Sequence, residues 1–379
     1  MRVSDVLISG MRLLALLLFT TTLSAQWVSP IEQSYGPYLA PATDEGPALV
    51  ASRNGVLLAW SELDPFTRIP EIRVGILDFD GRLTGAITRL PTYQPVAEAR
   101  SPVVATNGET FAVAWREPEP HRRSAAVALD SQGAPVAEPL PFANSNLPGT
   151  SPLLFWNGEA YQINGLAFDP TGRLVYPRWN VPAYVRYSAG DTLVGMNWTS
   201  APSRYQCGVA GHGCAWTDPE FVVTWELAPG KSGSKRYRYS SDSRAVTAGD
   251  ADEMAIVWRS PTALAGIRVV DGDYHSKFTI VEDPAAPEPD GIAFDGERWL
   301  VVFTRDGDVW GAFVDRTAKD FVPFPIASTE RVEWQAGAIA LAPGRFLVSY
   351  SSDLGGDDHR FAGRIVLTEP PPSRRRAVR

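Results

Sequence analysis

Five stretches of this chain repeat one plan, an apolar strand, a tight turn built on glycine, and a second apolar strand closing on an aromatic residue or its equivalent. Ser101–Trp115 reads "SPVVATNGETFAVAW", and "GPALVASRNGVLLAW" ends at Trp60. Ser151 opens "SPLLFWNGEAYQIN", Asp290–Phe303 is "DGIAFDGERWLVVF", and Ala336–Tyr350 is "AGAIALAPGRFLVSY". A recurring unit of this kind cannot bury its apolar face alone, so stacking against its neighbours becomes the organising demand on the fold.

The turns are Asn54-Gly55, Asn107-Gly108, Asn157-Gly158, Asp295-Gly296 and Pro343-Gly344. Asn-Gly and Asp-Gly tolerate the positive φ values that short hairpins require. A third strand follows each hairpin and tends to close on Asp and a Gly turn, as in "VGILDFDG" to Gly81, "AAVALDSQG" to Gly133 and "GLAFDPTG" to Gly172. In "WGAFVDRT", ending at Thr317, the Asp stays and the Gly is lost. A fourth, less regular strand precedes the next unit.

Trp60 to Trp115 spans 55 residues, Trp258 to Phe303 spans 45, and Phe303 to Tyr350 spans 47. Four antiparallel strands at this spacing form a propeller blade, which predicts an all-β fold, a single β-propeller of about seven blades. A parallel β-helix needs shorter coils, and an immunoglobulin-like array needs units nearer 100 residues. In the middle, Trp198, Trp225 and Trp258 are separated by only 27 and 33 residues. This reading puts Trp198 and Trp225 on the second and fourth strands of one blade, with the cysteine hairpin near its third. Six and eight blades also fit the spacing. Residues 38–42 resemble the fourth strand that precedes the last repeat, so they are expected to complete the last blade from the N-terminus and remove an exposed edge.

Arg2 and Arg12 precede the apolar run Leu13–Leu18 and the small-residue site Leu23-Ser24-Ala25, the layout of a secretory signal cut before Gln26. The apolar stretch is short of the roughly 20 residues a spanning helix needs. The expected organisation is a signal peptide over 1–25, a propeller over 26–369, and a disordered Pro/Arg-rich tail over 370–379. The location is secreted or periplasmic. The chain's net charge is -8, and without the signal and the four terminal arginines the body stands near -13. Such a balance disfavours nucleic acid and anionic lipid as partners of the folded part.

Cys207 and Cys214 flank "GVAGHG", and in an exported chain the expectation is a disulfide. With His212 the spacing is C-x4-H-x-C, but no second cluster completes four ligands, so no metal and no cofactor is expected. The rim opposite the tight turns carries the longer loops "SELDPFTRIPE", "REPEPHRRS" and "SSDLGGDDHRF". Binding residues concentrate on such loops. The candidates are Glu62, Arg68, Glu117, His121, Asp306, Asp358 and His359. Glu62, Glu117 and Asp306 fall just after second strands, where a pair of carboxylates would suit glycoside hydrolysis and where a repeated position also suits loop capping. The 12 Trp and 12 Tyr residues mostly end strands, which suits packing between blades.

The pattern [SG]-P-x-[VL], N-G, an apolar strand ending in Trp, then G-x-x-x-D-x-x-G resembles the degenerate propeller repeats of exported bacterial proteins. "FTRIP", Phe66–Pro70, is similar to the F/Y-R-I-P motif of sialidases, six-bladed propellers themselves, but carries an inserted Thr67 and follows the first hairpin. "SSDLGGDD" keeps the Ser, Asp and Gly of the S-x-D-x-G-x-T-W box and lacks its Thr and aromatic residue. The expected function is a non-catalytic binding module for a peptide, glycan or protein, acting as a monomer. The alternative is a secreted carbohydrate-active hydrolase of sialidase-like type.

Overall fold

The computed structural model describes residues 26–35, 47–64, 66–92, 99–117, 123–143, 154–156, 159–163, 166–175, 184–189, 192–197, 204–207, 214–217, 222–228, 231–237, 245–250, 252–316, 321–353 and 359–370. For 184–232 this description is of the backbone alone. The described secondary structure is all β, and no described helix is long and apolar enough to cross a membrane.

Strands consecutive in the chain pair antiparallel into small sheets. Sheet 1 holds Ala48–Ser52, Gly55–Leu63, Pro70–Leu77 and Thr88–Arg89. Sheet 2 holds Arg100–Thr106, Phe111–Glu117, Arg123–Leu129 and Leu140–Ala143, and sheet 3 holds Leu154–Trp156, Tyr161–Ile163 and Leu166–Phe168. A hairpin of Tyr184–Ala189 and Thr192–Asn197 follows as a separate pair. Sheet 4 holds Arg204–Cys207, Cys214–Thr217, Val222–Ala228 and Lys231–Arg236. Sheet 5 holds Val246–Gly249, Glu253–Ser260, Ala263–Val270 and Asp273–Glu282. Sheet 6 holds Pro289–Phe294, Arg298–Arg305, Asp308–Asp315 and Phe324–Ala327. Sheet 7 holds Val332–Ala342, Arg345–Asp353 and His359–Leu367.

The second strands of sheets 1, 2, 5 and 6 are apolar on both faces because neighbours cover both. Along Gly55–Leu63, Leu58 and Trp60 face sheet 7, meeting Leu347 and Phe361, while Leu57 and Ala59 face Phe111 and Trp115 of sheet 2. The period of two puts alternate residues on opposite faces, so a continuous apolar run marks a strand buried from both sides. The same device recurs between sheets 2 and 3 at Tyr161 and Phe168, between 5 and 6 at Trp299 and Phe303, and between 6 and 7 at Phe346 and Tyr350. Full burial of a side chain the size of Phe contributes roughly 1.5–3 kcal/mol, so these seams dominate stability.

The turns explain the repeated Asp and Gly. Asp78 Oδ1 accepts from the amides of Asp80 and Arg82 at 2.9 and 2.8 Å, Asp130 Oδ1 from Gln132 and Ala134 at 2.9 Å each, and Asp169 Oδ1 from Thr171 and Arg173 at 2.9 and 3.1 Å. Gly81, Gly133 and Gly172 follow at φ 76°, 79° and 80°, a region that disfavours a side chain. The hairpin at Asn54-Gly55 is centred one residue earlier than its sequence suggests, on Arg53-Asn54, because Ser52 pairs with Gly55. A Cβ on Gly55 would stand 2.7 Å from the Leu77 carbonyl oxygen, so glycine is required there by the neighbouring strand.

One expectation needs correction, and another falls outside the described residues. Sheet 7 is extended from the N-terminus by Trp27–Val28 and Gln33–Ser34, both pairing with His359–Leu367, whereas residues 38–42 lie outside the described residues. This strap is pinned by side chains: Tyr350 donates to Glu32 Oε2 at 2.7 Å, Arg364 reaches the same oxygen at 3.3 Å, and the buried Tyr35 donates to Gly81 O at 3.1 Å. Trp225 lies on the third strand of sheet 4, not a fourth, and the hairpin ending at Asn197 is not part of that sheet. Cys207 and Cys214 end its first strand and open its second, where they are register partners. Trp198, the signal segment and the tail from 371 lie outside the described residues.

A Cβ on Gly363 would run into the Tyr35 ring and hydroxyl. Gly363→Ala is expected to destabilise by about 1–3 kcal/mol through overpacking, and Tyr35→Phe by about 1 kcal/mol through its lost hydrogen bond. In urea melts the double variant should lose less than the two single losses combined, since removing the hydroxyl relieves part of the clash.

Candidate functional site

The connections from second to third strands leave one end of the sheets. In the connection of sheet 1, between Asp64 and Ile69, Pro65 lies outside the described residues, and the described backbone is organised by Asp64. Its Oδ1 accepts from Phe66 N at 2.9 Å, Thr67 N at 2.7 Å and Thr67 Oγ1 at 3.0 Å. Asp64 N donates to Ile69 O and Arg68 N to Asp64 O, each at 2.9 Å. The Thr67 amide, with support from the Phe66 amide and the Thr67 hydroxyl, holds the Asp64 carboxyl below its ordinary value. Arg68 takes φ 59°, a conformation costly for a non-glycine residue. The loop turns its aromatic side chain outward, and Phe66 is 92% exposed. Phe66 and Arg68 are both exposed on a loop whose backbone is held by one carboxylate.

Glu62 and Glu117 have another role. Trp60 Nε1 donates to Glu62 Oε2 at 2.9 Å, and Trp115 Nε1 donates to Glu117 Oε1 at 3.0 Å. Residues i and i+2 of a strand share a face. W-x-E thus sets each carboxylate beside the indole it serves, in the seam with the preceding sheet. Glu62 also meets Arg73 Nε at 3.0 Å, and Arg73 reaches Glu71, which is 2% exposed and further paired with Arg89. Burial pushes the Glu62 and Glu71 carboxyls above their ordinary value, against the pull of the Trp60 hydrogen bond and Arg73 on Glu62, and of Arg89 and Arg73 on Glu71. Glu117, at 3% exposure, is a structural acceptor of the same type.

Asp306 and Gly307, at φ 55° and 82°, are the two central residues of the hairpin in which Arg305 pairs with Asp308. Asp306 is selected by that backbone, and its exposed carboxylate contacts Arg305 Nε at 3.5 Å. His359 opens the third strand of sheet 7 with Nδ1 3.4 Å from Asp353 Oδ2 and its ring edge-on to Trp334 at 6.3 Å. His121 and Asp358 lie outside the described residues. The contacts of Glu62, Asp306 and His359 just named are made within sheets 1, 6 and 7 respectively. Among the described residues, no group of three His, Cys, Asp or Glu side chains is placed to hold a metal ion.

The same end of the first strands is kinked by bulges between Arg100 and Val103, Pro289 and Gly291, and Trp334 and Gly337. A polar side chain in each bulge accepts from the second strand: Ser101 from Arg116 at 2.7 Å, Asp290 from Thr304 at 2.6 Å, and Gln335 from Ser351 at 3.4 Å. Bulges of this kind gather at rims and beside binding sites.

Glu333 was not legible from the sequence. It lies opposite Ser352 with 0% exposure, one oxygen accepting from Thr329 and Oε2 buried without a partner among the described residues. Burial raises its carboxyl, and Asp308 and Glu32 add to the effect against the Thr329 hydrogen bond. A raised folded-state value means that the folded form holds the proton more tightly, so stability falls as pH rises from the ordinary 4.5 through that value. Glu333→Gln should flatten this part of the stability–pH curve in urea melts. Glu117→Ala should cost about 1–3 kcal/mol by leaving a buried indole N–H unmet, and Glu117→Gln less, since an amide oxygen still accepts.

No protein-family model matches the sequence, and no curated protein matches it. Among solved structures, the WD40 domain of Toxoplasma gondii coronin is similar over 93% of this chain and 89% of its own, at 10% identity and TM-score 0.57. A chain of a mitotic checkpoint complex matches over 88% and 93%, at 10% identity and TM-score 0.51. The WD40 repeats of RRP9 match over 89% and 99%, at 10% identity and TM-score 0.50. At these identities the likeness is one of fold, and the fold is a β-propeller.

Proposed function

We propose that the chain is an exported seven-bladed propeller acting as a non-catalytic binding module for a peptide, glycan or protein, with the loop-bearing rim as its contact surface. The observation that carries this reading is the 64–69 loop. An aromatic side chain left 92% exposed on a backbone held by Asp64 is suited to insertion into a partner, and Arg68 is exposed on the same loop. The hydrolase alternative finds no support in Glu62 and Glu117, which serve the indoles of their own strands. The fold also occurs in a chain solved within a mitotic checkpoint complex, in keeping with a module that binds other molecules.

The second-strand aromatics at Trp60, Trp115, Tyr161, Trp216, Trp258, Phe303 and Tyr350, spaced by 42 to 55 residues, support a reading of seven blades. The hairpin of 184–197 is then an addition between the third and fourth blades. The N-terminal strap on His359–Leu367, and the packing of sheet 7 against sheet 1, support closure of the ring at that seam. Export in turn favours a Cys207–Cys214 disulfide, which their register pairing allows. Mass spectrometry of a non-reduced digest should find the two joined, and two alkylatable thiols in exported protein would contradict it.

The functional test is a peptide and glycan array probed with purified residues 26–379, alongside a panel of chromogenic glycosides. A ligand whose binding falls by about tenfold or more in Phe66→Ala/Arg68→Ala is expected, as for a hot-spot pair. Glycoside turnover that disappears in Glu62→Gln or Glu117→Gln would overturn the reading.

A further inference from the structure

Sheet 7 carries its seam carboxylate on a different strand from sheets 1 and 2. Two residues beyond Trp60 and Trp115 stand Glu62 and Glu117, but two residues beyond Tyr350 stands Ser352. The register partner of Ser352 on the first strand is Glu333. In sheet 2 the same first-strand place, one residue before the bulge at Arg100, holds Ala99. The two places match in their backbone bonds: Ala99 N donates to Pro70 O at 2.8 Å and Glu333 N to Gly307 O at 2.6 Å, each carbonyl at or just before the third strand of the preceding sheet. The carboxylate has moved from the second strand to the first, and the ring beside it has changed from tryptophan to tyrosine. Tyr350 already donates to Glu32 Oε2 at 2.7 Å, so no ring donor is left for Glu333. The seam at Trp258 shows the converse, with Ser260 two residues on and an indole Nε1 buried without an acceptor among the described residues.

Two oxygens are left over on one face of sheet 7. Glu333 is 0% exposed, and while Thr329 donates to its Oε1, its Oε2 is buried without a partner among the described residues. Ser352 is 1% exposed, and its Oγ also has no partner among them. Ser352 follows Tyr350 by two residues and so shares its face, which packs on sheet 6. Directly opposite residues of an antiparallel pair have Cβ atoms about 4.5–5.5 Å apart, so the two oxygens belong to adjoining side chains in one seam.

The charge around them is negative. Asp308, on the third strand of sheet 6, and Glu32, on the strap, both act on Glu333 against its ionised form, in addition to its burial. Arg364 is engaged by Glu32 and Tyr350. Arg360 pairs with Ser352 from the third strand, so it is exposed on the side of Ser352 away from Glu333. A buried carboxylate beside two others is costly unless positive charge is supplied. A water molecule could bond both oxygens but would leave that charge in place, whereas a cation offsets it.

We propose that the seam between sheets 6 and 7 binds one monovalent metal cation, sodium or potassium, through Glu333 Oε2 and Ser352 Oγ. One carboxylate with one hydroxyl matches a single positive charge. Calcium takes about six to eight oxygens and is usually held by several carboxylates, whereas no group of three His, Cys, Asp or Glu side chains among the described residues is placed to hold a metal ion. An organic ammonium group is too large to enter between side chains buried this completely. This site does not depend on the role of the rim.

The test is thermal unfolding of residues 26–379 near pH 8, where carboxylates are ionised, with sodium or potassium replacing choline at constant ionic strength. One or both metals should raise the melting temperature by about 2 °C or more, with saturation as the concentration increases. Glu333→Gln keeps the shape and removes the charge. It should abolish the rise, and in choline it should melt above the wild type. Ser352→Ala should shift the half-saturating concentration upward several-fold. Circular dichroism confirms that both variants are folded. Equal melting in sodium, potassium and choline, the result a bound water gives, would overturn the proposal. So would a rise that persists in Glu333→Gln, or stabilisation by calcium alone.

Discussion

Each described seam between neighbouring sheets is occupied by side chains from both sides, with a large ring from a second strand at its centre, and a polar ring edge left without an acceptor is costly. Trp60 and Trp115 use a glutamate two residues along the same strand, Trp299 uses the Ala248 carbonyl, and Tyr350 uses Glu32 from the N-terminal strap. Burial of the ring supplies most of the stabilisation, while an unmet donor at its edge would cancel much of that gain. The seam therefore fixes more than packing. It accounts for two carboxylates that look catalytic in the sequence and for the anchoring of the strap.

Much of the architecture was legible because its signals are local. Gly81, Gly133 and Gly172 mark turns that an aspartate closes through two backbone amides, and such motifs survive in a short window of sequence. The period-two rule also bears on Glu62 and Glu117. Their placement two residues after a buried Trp already put them on the indole face, so W-x-E was a packing signal as much as a rim signal. Glu71 and Glu333 had no comparable mark: Glu71 pairs with Arg73 on its own strand and Arg89 on the next, and Glu333 accepts from Thr329 in the preceding turn, and none of these neighbours signals burial in the sequence.

The described strap was not legible for a related reason. Its paired segments are two residues each, too short for alternation to register, and its specificity lies in Tyr35 and Glu32 reaching residues far along the chain. The fourth sheet was misread because three tryptophans invite equal spacing, whereas Trp216 lies on its second strand and Trp225 on its third. Arg68 lies on a loop built by Asp64, a residue the sequence did not mark, and the large exposed side chain of that loop is Phe66.

The central claim is that carboxylates satisfy the indoles of the first two seams and that the seam of Trp258 lacks such an acceptor. The indole N–H resonances of the protein, assigned by single Trp→Phe replacements, test it directly. The account predicts Trp60 and Trp115 shifted downfield and slow to exchange with solvent, each losing its downfield shift when Glu62 or Glu117 becomes alanine, and Trp258 upfield of both. Equal shifts for all three, or no response of Trp60 and Trp115 to loss of their glutamates, would contradict it.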